Sequence, residues 1–98
     1  MTCYRITRCR VPDVEAAISA VEAHRERLQS AGARFIDIIE DGEGTAMVVA
    51  CYPSREVMES ATVVANHVFG ELIRDGLVEG DSLEIFSGKT RFSVPAAG

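Results

Sequence analysis

The sequence predicts a single α+β domain with the element order β-α-β-β-α-β, and three observations carry that prediction. Tyr52 to Gly76, YPSREVMESATVVANHVFGELIRDG, has the 3.6-residue apolar spacing of one long amphipathic helix. Two strand-like runs, ARFIDIIE and TAMVVACY, stand directly before it and are joined by Asp41-Gly42-Glu43-Gly44, a hairpin signal. A second helical pattern lies between Pro12 and Gly32.

Taken in order, residues 3 to 11, CYRITRCRV, alternate imperfectly and are rich in strand-forming types, which makes them the first strand. Pro12 and Asp13 open a helix expected to run to Ala31. Val14, Ala17, Ile18, Val21, His24 and Leu28 share its apolar face, with Glu15, Glu22, Glu26 and Gln29 opposite. Ala33 to Glu40 and Thr45 to Tyr52 form the second and third strands. The long helix starts where Ser54 can cap the free backbone N–H groups of its first turn, and it ends at Gly76. Its inward stripe is Val57, Met58, Ala61, Val64, Ala65, Val68, Phe69 and Leu72. Ser82 to Phe86 is the fourth strand, and Gly88 interrupts a further extended piece, Lys89 to Val94. The 98 residues fit one domain with a modest core, spanning 1–98.

Split βαβ order gives an antiparallel four-stranded sheet, in spatial order 4-1-3-2, with both helices on one face. The third strand is apolar at both parities, and the second carries Phe35 and Ile39 on one side and Ile36 and Ile38 on the other. A solvated face would be polar, so the second face calls for a cover. A second copy of the chain, sheet against sheet, supplies it and closes a barrel-like homodimer, with the segment after Gly88 placed to pair with the partner's edge.

Composition narrows the partners. A 47% hydrophobic and 26% charged chain is globular, and no apolar run approaches the ~18 residues of a membrane span. A net charge of −5 without a basic block disfavours nucleic acid and anionic membranes. Cys3, Cys9 and Cys51 lack C-x-x-C spacing, so buried reduced thiols in a cytoplasmic compartment are expected, with neither a disulfide framework nor a zinc site. There is no hydrolase elbow, metalloprotease motif or phosphate loop.

The β-α-β-β-α-β order, the DGEG hairpin and the helix PSREVMESATVVANHVFGEL, followed by acidic and glycine residues before a last strand, resemble the dimeric α/β-barrel proteins of the antibiotic-biosynthesis-monooxygenase type. The resemblance covers nearly the whole chain. It implies a ferredoxin-like fold that dimerises into an α/β barrel. The functions it implies include cofactor-free oxygenation of phenols and quinols, haem degradation and isomerisation. Haem-degrading members use a helical histidine with an asparagine and a tryptophan, and this chain has no tryptophan, so haem is not expected. No other cofactor and no metal are expected either.

Four side chains are the candidates for chemistry. His24 lies on the apolar face of the first helix, and helix direction returns it toward the start of the first strand, so His24, Tyr4 and Tyr52 are expected at one end of a shared cavity. There His24 would act as base toward a bound phenol or enol, the tyrosines would orient a polar group, and Asn66, at the margin of the long helix's stripe, would hold an oxygen. The plainer role for His24 is that of a core histidine bonded to a tyrosine hydroxyl or a carbonyl. His67 is expected to pair with Glu71 at i+4. Arg5 should face away from Arg8 and Arg10, which suit ion pairs with Asp37 or Glu84 or, alternatively, an anion site at the dimer centre. Cys3 and Cys51 are expected as cross-strand neighbours. The function expected is cofactor-independent oxidation or isomerisation of an aromatic or enolic compound, the alternative being a non-catalytic dimeric ligand-binding or interaction domain.

Overall fold

The computed structural model describes residues 1–97. Strands β1 (Cys3–Arg10), β2 (Phe35–Glu40), β3 (Thr45–Tyr52) and β4 (Glu84–Lys89) form one antiparallel sheet in the order β2-β3-β1-β4, the order expected. The central pair runs from Cys3 opposite Tyr52 to Arg10 opposite Thr45. Asp41 turns the β2–β3 corner. Its Oδ1 accepts from the backbone N–H of Glu43 (2.7 Å) and of Thr45 (3.2 Å), while Gly42 and Gly44 take φ of 78° and 90°, which side chains disfavour.

Both predicted helices are broken. The first divides into α1 (Val14–Glu22) and α2 (Arg25–Gln29), and the long one into α3 (Arg55–Ser60) and α4 (Thr62–Arg74). At the first break the His24 N–H bonds to the Val21 carbonyl, an i→i−3 closure that tightens the turn, and the imidazole swings onto Glu71 of α4. At the second, the Thr62 hydroxyl donates back to the Met58 carbonyl (3.5 Å), a back-bond that bends helices, and accepts from Arg5 of β1. Neither cause leaves a mark on apolar periodicity. Caps fall where expected: Asp13 accepts from Ala16 N–H and Ser54 from Val57 N–H.

The last strand also differs from expectation. It begins at Glu84, after a 3-10 turn at Gly80–Ser82, and passes through Gly88 to Lys89. Beyond it Thr90 N–H still bonds to the Thr2 carbonyl. Glycine in an edge strand removes a side chain without removing the ladder bonds, so Gly88 did not stop β4.

All four helices lie on one face of the sheet. Two core clusters fill the layer between: Cys9, Val11, Ala17, Ala46, Val68, Leu72 and Val78 at one end, and Cys3, Ala50, Tyr52, Met58 and Ala61 at the other. At about 25 cal/mol per Å² of buried apolar surface, this layer is the main stabilising term of the subunit. The opposite face carries Tyr4, Ile6, Phe35, Ile39, Met47, Val49 and Phe86, and Phe86 is 67% exposed. No helix of the described residues is long and apolar enough to cross a membrane.

Candidate functional site

A cavity of about 90 Å³ lies between the sheet and the helices. Its wall is apolar, formed by residues such as Val21, Leu28, Val48, Val64 and Phe69, with three polar side chains: Arg5, Thr7 and Tyr52. Arg5, Thr7 and Cys9 reach it because alternate residues of β1 point to the helix side, while Tyr4, Ile6, Arg8 and Arg10 point away.

Arg5 dominates this space. Its Nη2 donates to Thr62 Oγ1 at 2.9 Å. Its Nη1 is buried and has no hydrogen-bond partner, which among the described residues is true of no other buried side-chain nitrogen or oxygen. A guanidinium held among apolar walls with an unmet donor costs free energy, about 1–3 kcal/mol for a neutral group and more for a charged one, until an acceptor arrives. Tyr52 lies across the same wall, only 3% exposed. Burial raises its phenol above the ordinary value and the Arg5 charge opposes this only in part, so the hydroxyl stays protonated near neutrality. Burial likewise raises the Cys9 thiol, which makes it a poor nucleophile.

The structure separates the four candidates. Tyr52 lines the cavity. Tyr4 does not: it sits opposite Cys51 on the open face, edge-on to Phe35 with ring centroids 6.4 Å apart, because adjacent positions along a strand face opposite ways. Its phenol is raised, first by a hydrogen bond with Cys51 and then by the charge and burial there. Asn66 is exposed on α4 and is absent from the cavity wall. His24 is also absent from it, because the turn at Ala23 carries the imidazole sideways to α4, where Nε2 lies 2.6 Å from Glu71 Oε2. The expected meeting of His24, Tyr4 and Tyr52 in one cavity is therefore corrected, and with it the pairing of Cys3 and Cys51. Cys3 faces Tyr52, and Cys51 faces Tyr4, one position away and on the other side of the sheet.

Other expectations hold. His67 pairs with Glu71 at i+4 (3.2 Å). Arg8 meets Glu84 at 3.4 Å, whereas Arg10 meets Glu79 at 3.3 Å, not Asp37. Burial pushes the Glu71 carboxyl upward, but the hydrogen bond from His24 and the charges of His24, His67 and Arg74 together outweigh it, and its pKa falls below the ordinary value. Two polar partners escaped sequence reasoning. Thr62 was unmarked because nothing local distinguishes a back-bonding threonine from one facing solvent. The contact of Glu71 with His24 joins residues 47 positions apart.

A four-stranded antiparallel sheet covered on one face by helices, enclosing a cavity between the layers, is a ferredoxin-like α+β fold, one that solved structures of the antibiotic-biosynthesis-monooxygenase type share. Three solved structures illustrate the likeness. SnoaB of Streptomyces nogalater, a cofactor-independent oxygenase, aligns with a TM-score of 0.69 at 13% identity over 97% of this chain and 98% of that one. A candidate antibiotic biosynthesis monooxygenase from Nitrosomonas europaea aligns at 0.71 and 13%, over 96% and 94%. A dimeric ferredoxin-like protein from an uncultured marine organism aligns at 0.65 and 13%, over 98% and 93%. At such identities it is the fold that is shared. No protein-family model and no curated protein matches the sequence.

Proposed function

We propose that the space between sheet and helices binds a small aromatic or enolic compound through an anionic oxygen set against Arg5, and that its chemistry is cofactor-independent oxidation or isomerisation. The observation that carries this reading is the buried, unpartnered Nη1 of Arg5 in an otherwise apolar cavity. A phenolate, enolate or carboxylate meets that donor with a charge-assisted bond, and the walls take the ring.

The guanidinium would also do chemical work. An opposite charge at hydrogen-bond distance lowers the pKa of a bound phenol or enol, so the substrate proton leaves to solvent and the electron-rich anion accumulates beside Arg5. The anion forms a carbon–oxygen bond to dioxygen. Loss of water from the resulting hydroperoxide leaves one oxygen atom in a quinone product and the other in water. Tyr52, neutral, is suited to orient a second oxygen. Two copies packed through their open sheet faces complete the assembly, in line with the dimeric ferredoxin-like neighbour.

One observation favours the alternative of a non-catalytic binding domain. The cavity wall holds no carboxylate or imidazole base, and about 90 Å³ is below the ~300–1,000 Å³ of ordinary ligand sites, so a ring enters only as Phe69 and its neighbours move. The two readings part in one experiment. The protein is titrated with a hydroxylated naphthalene by fluorescence, and oxygen uptake is then followed with a naphthoquinol. Saturable binding that Arg5→Met weakens at least tenfold, with oxygen uptake above the uncatalysed rate, is expected. Binding without uptake selects the alternative, and binding unaltered by Arg5→Met overturns both.

A further inference from the structure

The cluster His24, His67 and Glu71 takes no part in the cavity and lies on its far side. Val68, Phe69 and Leu72 of α4 turn inward to the cavity wall, whereas His67 and Glu71 project from the same helix toward the α1–α2 break. His24 stands at that break, positioned by its N–H bond to Val21 and by the Leu28 N–H bond to its own carbonyl. Three side chains from two separate helical arms thus converge, with one ligand atom from each lying within 4.8 Å of the others.

Their arrangement is that of a coordination set more than of a simple ion pair. Each carboxylate oxygen of Glu71 addresses a different imidazole nitrogen, Oε2 to His24 Nε2 at 2.6 Å and Oε1 to His67 Nε2 at 3.2 Å, and the two rings stand edge to face with centroids 5.9 Å apart. Tetrahedral zinc with bonds of about 2.0–2.1 Å separates its ligand atoms by about 3.3 Å. The two contacts use different oxygens of Glu71, 3.2 Å from His67 and 2.6 Å from His24, so closing on one ion requires the His24 side to open and the carboxylate to turn one oxygen toward both nitrogens. Both histidines present the same nitrogen, Nε2, to the carboxylate.

The surroundings suit a divalent ion. Arg25, the cation nearest in sequence to His24, is committed to Glu22 through bonds of 2.6 and 2.7 Å. The side chains of His24, Glu71 and His67 are 18%, 32% and 48% exposed, so the ligands are partly shielded while one side stays open to solvent. Two imidazoles with one carboxylate form a borderline donor set that favours zinc and its transition-metal neighbours over magnesium or calcium.

We propose that His24, His67 and Glu71 form a binding site for a divalent transition metal, zinc in the first instance, with water completing the coordination. The ion would clamp the α1–α2 break to α4 and hold a solvent-facing water as a Lewis acid outside the Arg5 cavity. The sequence alone pairs only His67 with Glu71, at i+4; His24 joins them through the turn at Ala23.

The test uses the purified full chain, stripped of metal, titrated with cobalt(II) as a spectroscopic stand-in and with zinc in competition against a chromophoric chelator. The expected result is one metal per chain, with visible cobalt bands of a four- or five-coordinate nitrogen–oxygen site and without the intense near-ultraviolet band of cobalt–thiolate. His24→Ala, His67→Ala and Glu71→Gln should each weaken zinc by more than the about 10–100-fold that loss of an outer partner costs. His67 is half-exposed, so His67→Ala and His67→Gln keep the fold, verified by circular dichroism, even if His24→Ala does not. Absence of micromolar binding, a thiolate band implicating Cys3, Cys9 or Cys51, or binding in both His67 variants equal to wild type would each overturn the site.

Discussion

The two faces of the sheet are made by the same strands and differ in almost everything else. Along β1, Cys3, Arg5, Thr7 and Cys9 go under the helices, and Tyr4, Ile6, Arg8 and Arg10 go to the open side. The covered face is closed around small residues and leaves a cavity containing one unmatched cation. The open face pairs Arg8 with Glu84 and leaves its apolar groups uncovered. Each face therefore lacks something: the covered face an anion, the open face a second layer. A missing polar partner calls for a small ligand, whereas missing apolar cover calls for a surface as broad as another copy of the sheet.

Substitutions can break this contrast. The largest effect on the subunit itself is expected from Leu72→Ala, which empties a buried site on the covered side and should cost about 2–5 kcal/mol in denaturant unfolding. Ile39→Ala on the open face, half exposed in the single chain, should cost a small fraction of that if the subunit were alone. A loss comparable to that of Leu72→Ala would reveal that partner contact is part of folding stability.

Next comes Phe86→Asp. Light scattering should find the wild-type protein dimeric and this variant at half the mass, with Val63→Asp on the outer side of α4 unchanged as control. A monomeric wild type, or equal behaviour of the two variants, would remove the open face as an interface.

Arg5→Met should be close to neutral or stabilising by up to about 1 kcal/mol, because it removes a buried donor that nothing in the subunit satisfies. Clear destabilisation would mean that the guanidinium is already satisfied, and the cavity would lose its anion-binding character.

The smallest effect concerns the hairpin, which belongs to neither face. Bonds from the Glu43 and Thr45 amides hold the Asp41 carboxyl below its ordinary value. A depressed carboxyl stabilises fully above the unfolded-chain value of about 3.9, and that contribution is lost as pH falls through the lower folded value. Asp41→Asn should therefore flatten the acid limb of the stability profile, with little change in pH dependence near neutrality.

Much of the fold was legible because it rests on local chemistry. The DGEG turn, the Asp13 and Ser54 caps and the strand-forming composition of β1 and β3 each follow from neighbouring residues, and the open apolar face followed from both-parity hydrophobicity in β3. The site was legible only in part. Tyr52 reaches the cavity where strand order put it, at the end of β3 beside the start of β1. Tyr4 was misplaced because a tyrosine near the end of a strand suits either face until the register is known. His24 was misplaced because helical periodicity assumes an unbroken helix, and the chain breaks at Ala23, where the imidazole meets Glu71 of α4. Arg5 could be assigned to a face, but its lack of a partner is a property of the whole cavity.

That unmet Nη1 donor has a practical consequence for finding the ligand. Any compound that satisfies it in the folded chain and has no affinity for the unfolded chain shifts the folding equilibrium by mass action, about 2.7 kcal/mol at a hundred times its dissociation constant. For a subunit of this size such a shift moves the melting temperature by about 11–22 °C, at roughly 4–8 °C per kcal/mol. Heating the protein in the presence of a library of small acids, phenols and enols would thus rank them with no assay of turnover, and Arg5→Met would separate those that meet the guanidinium from those that merely dissolve in the core.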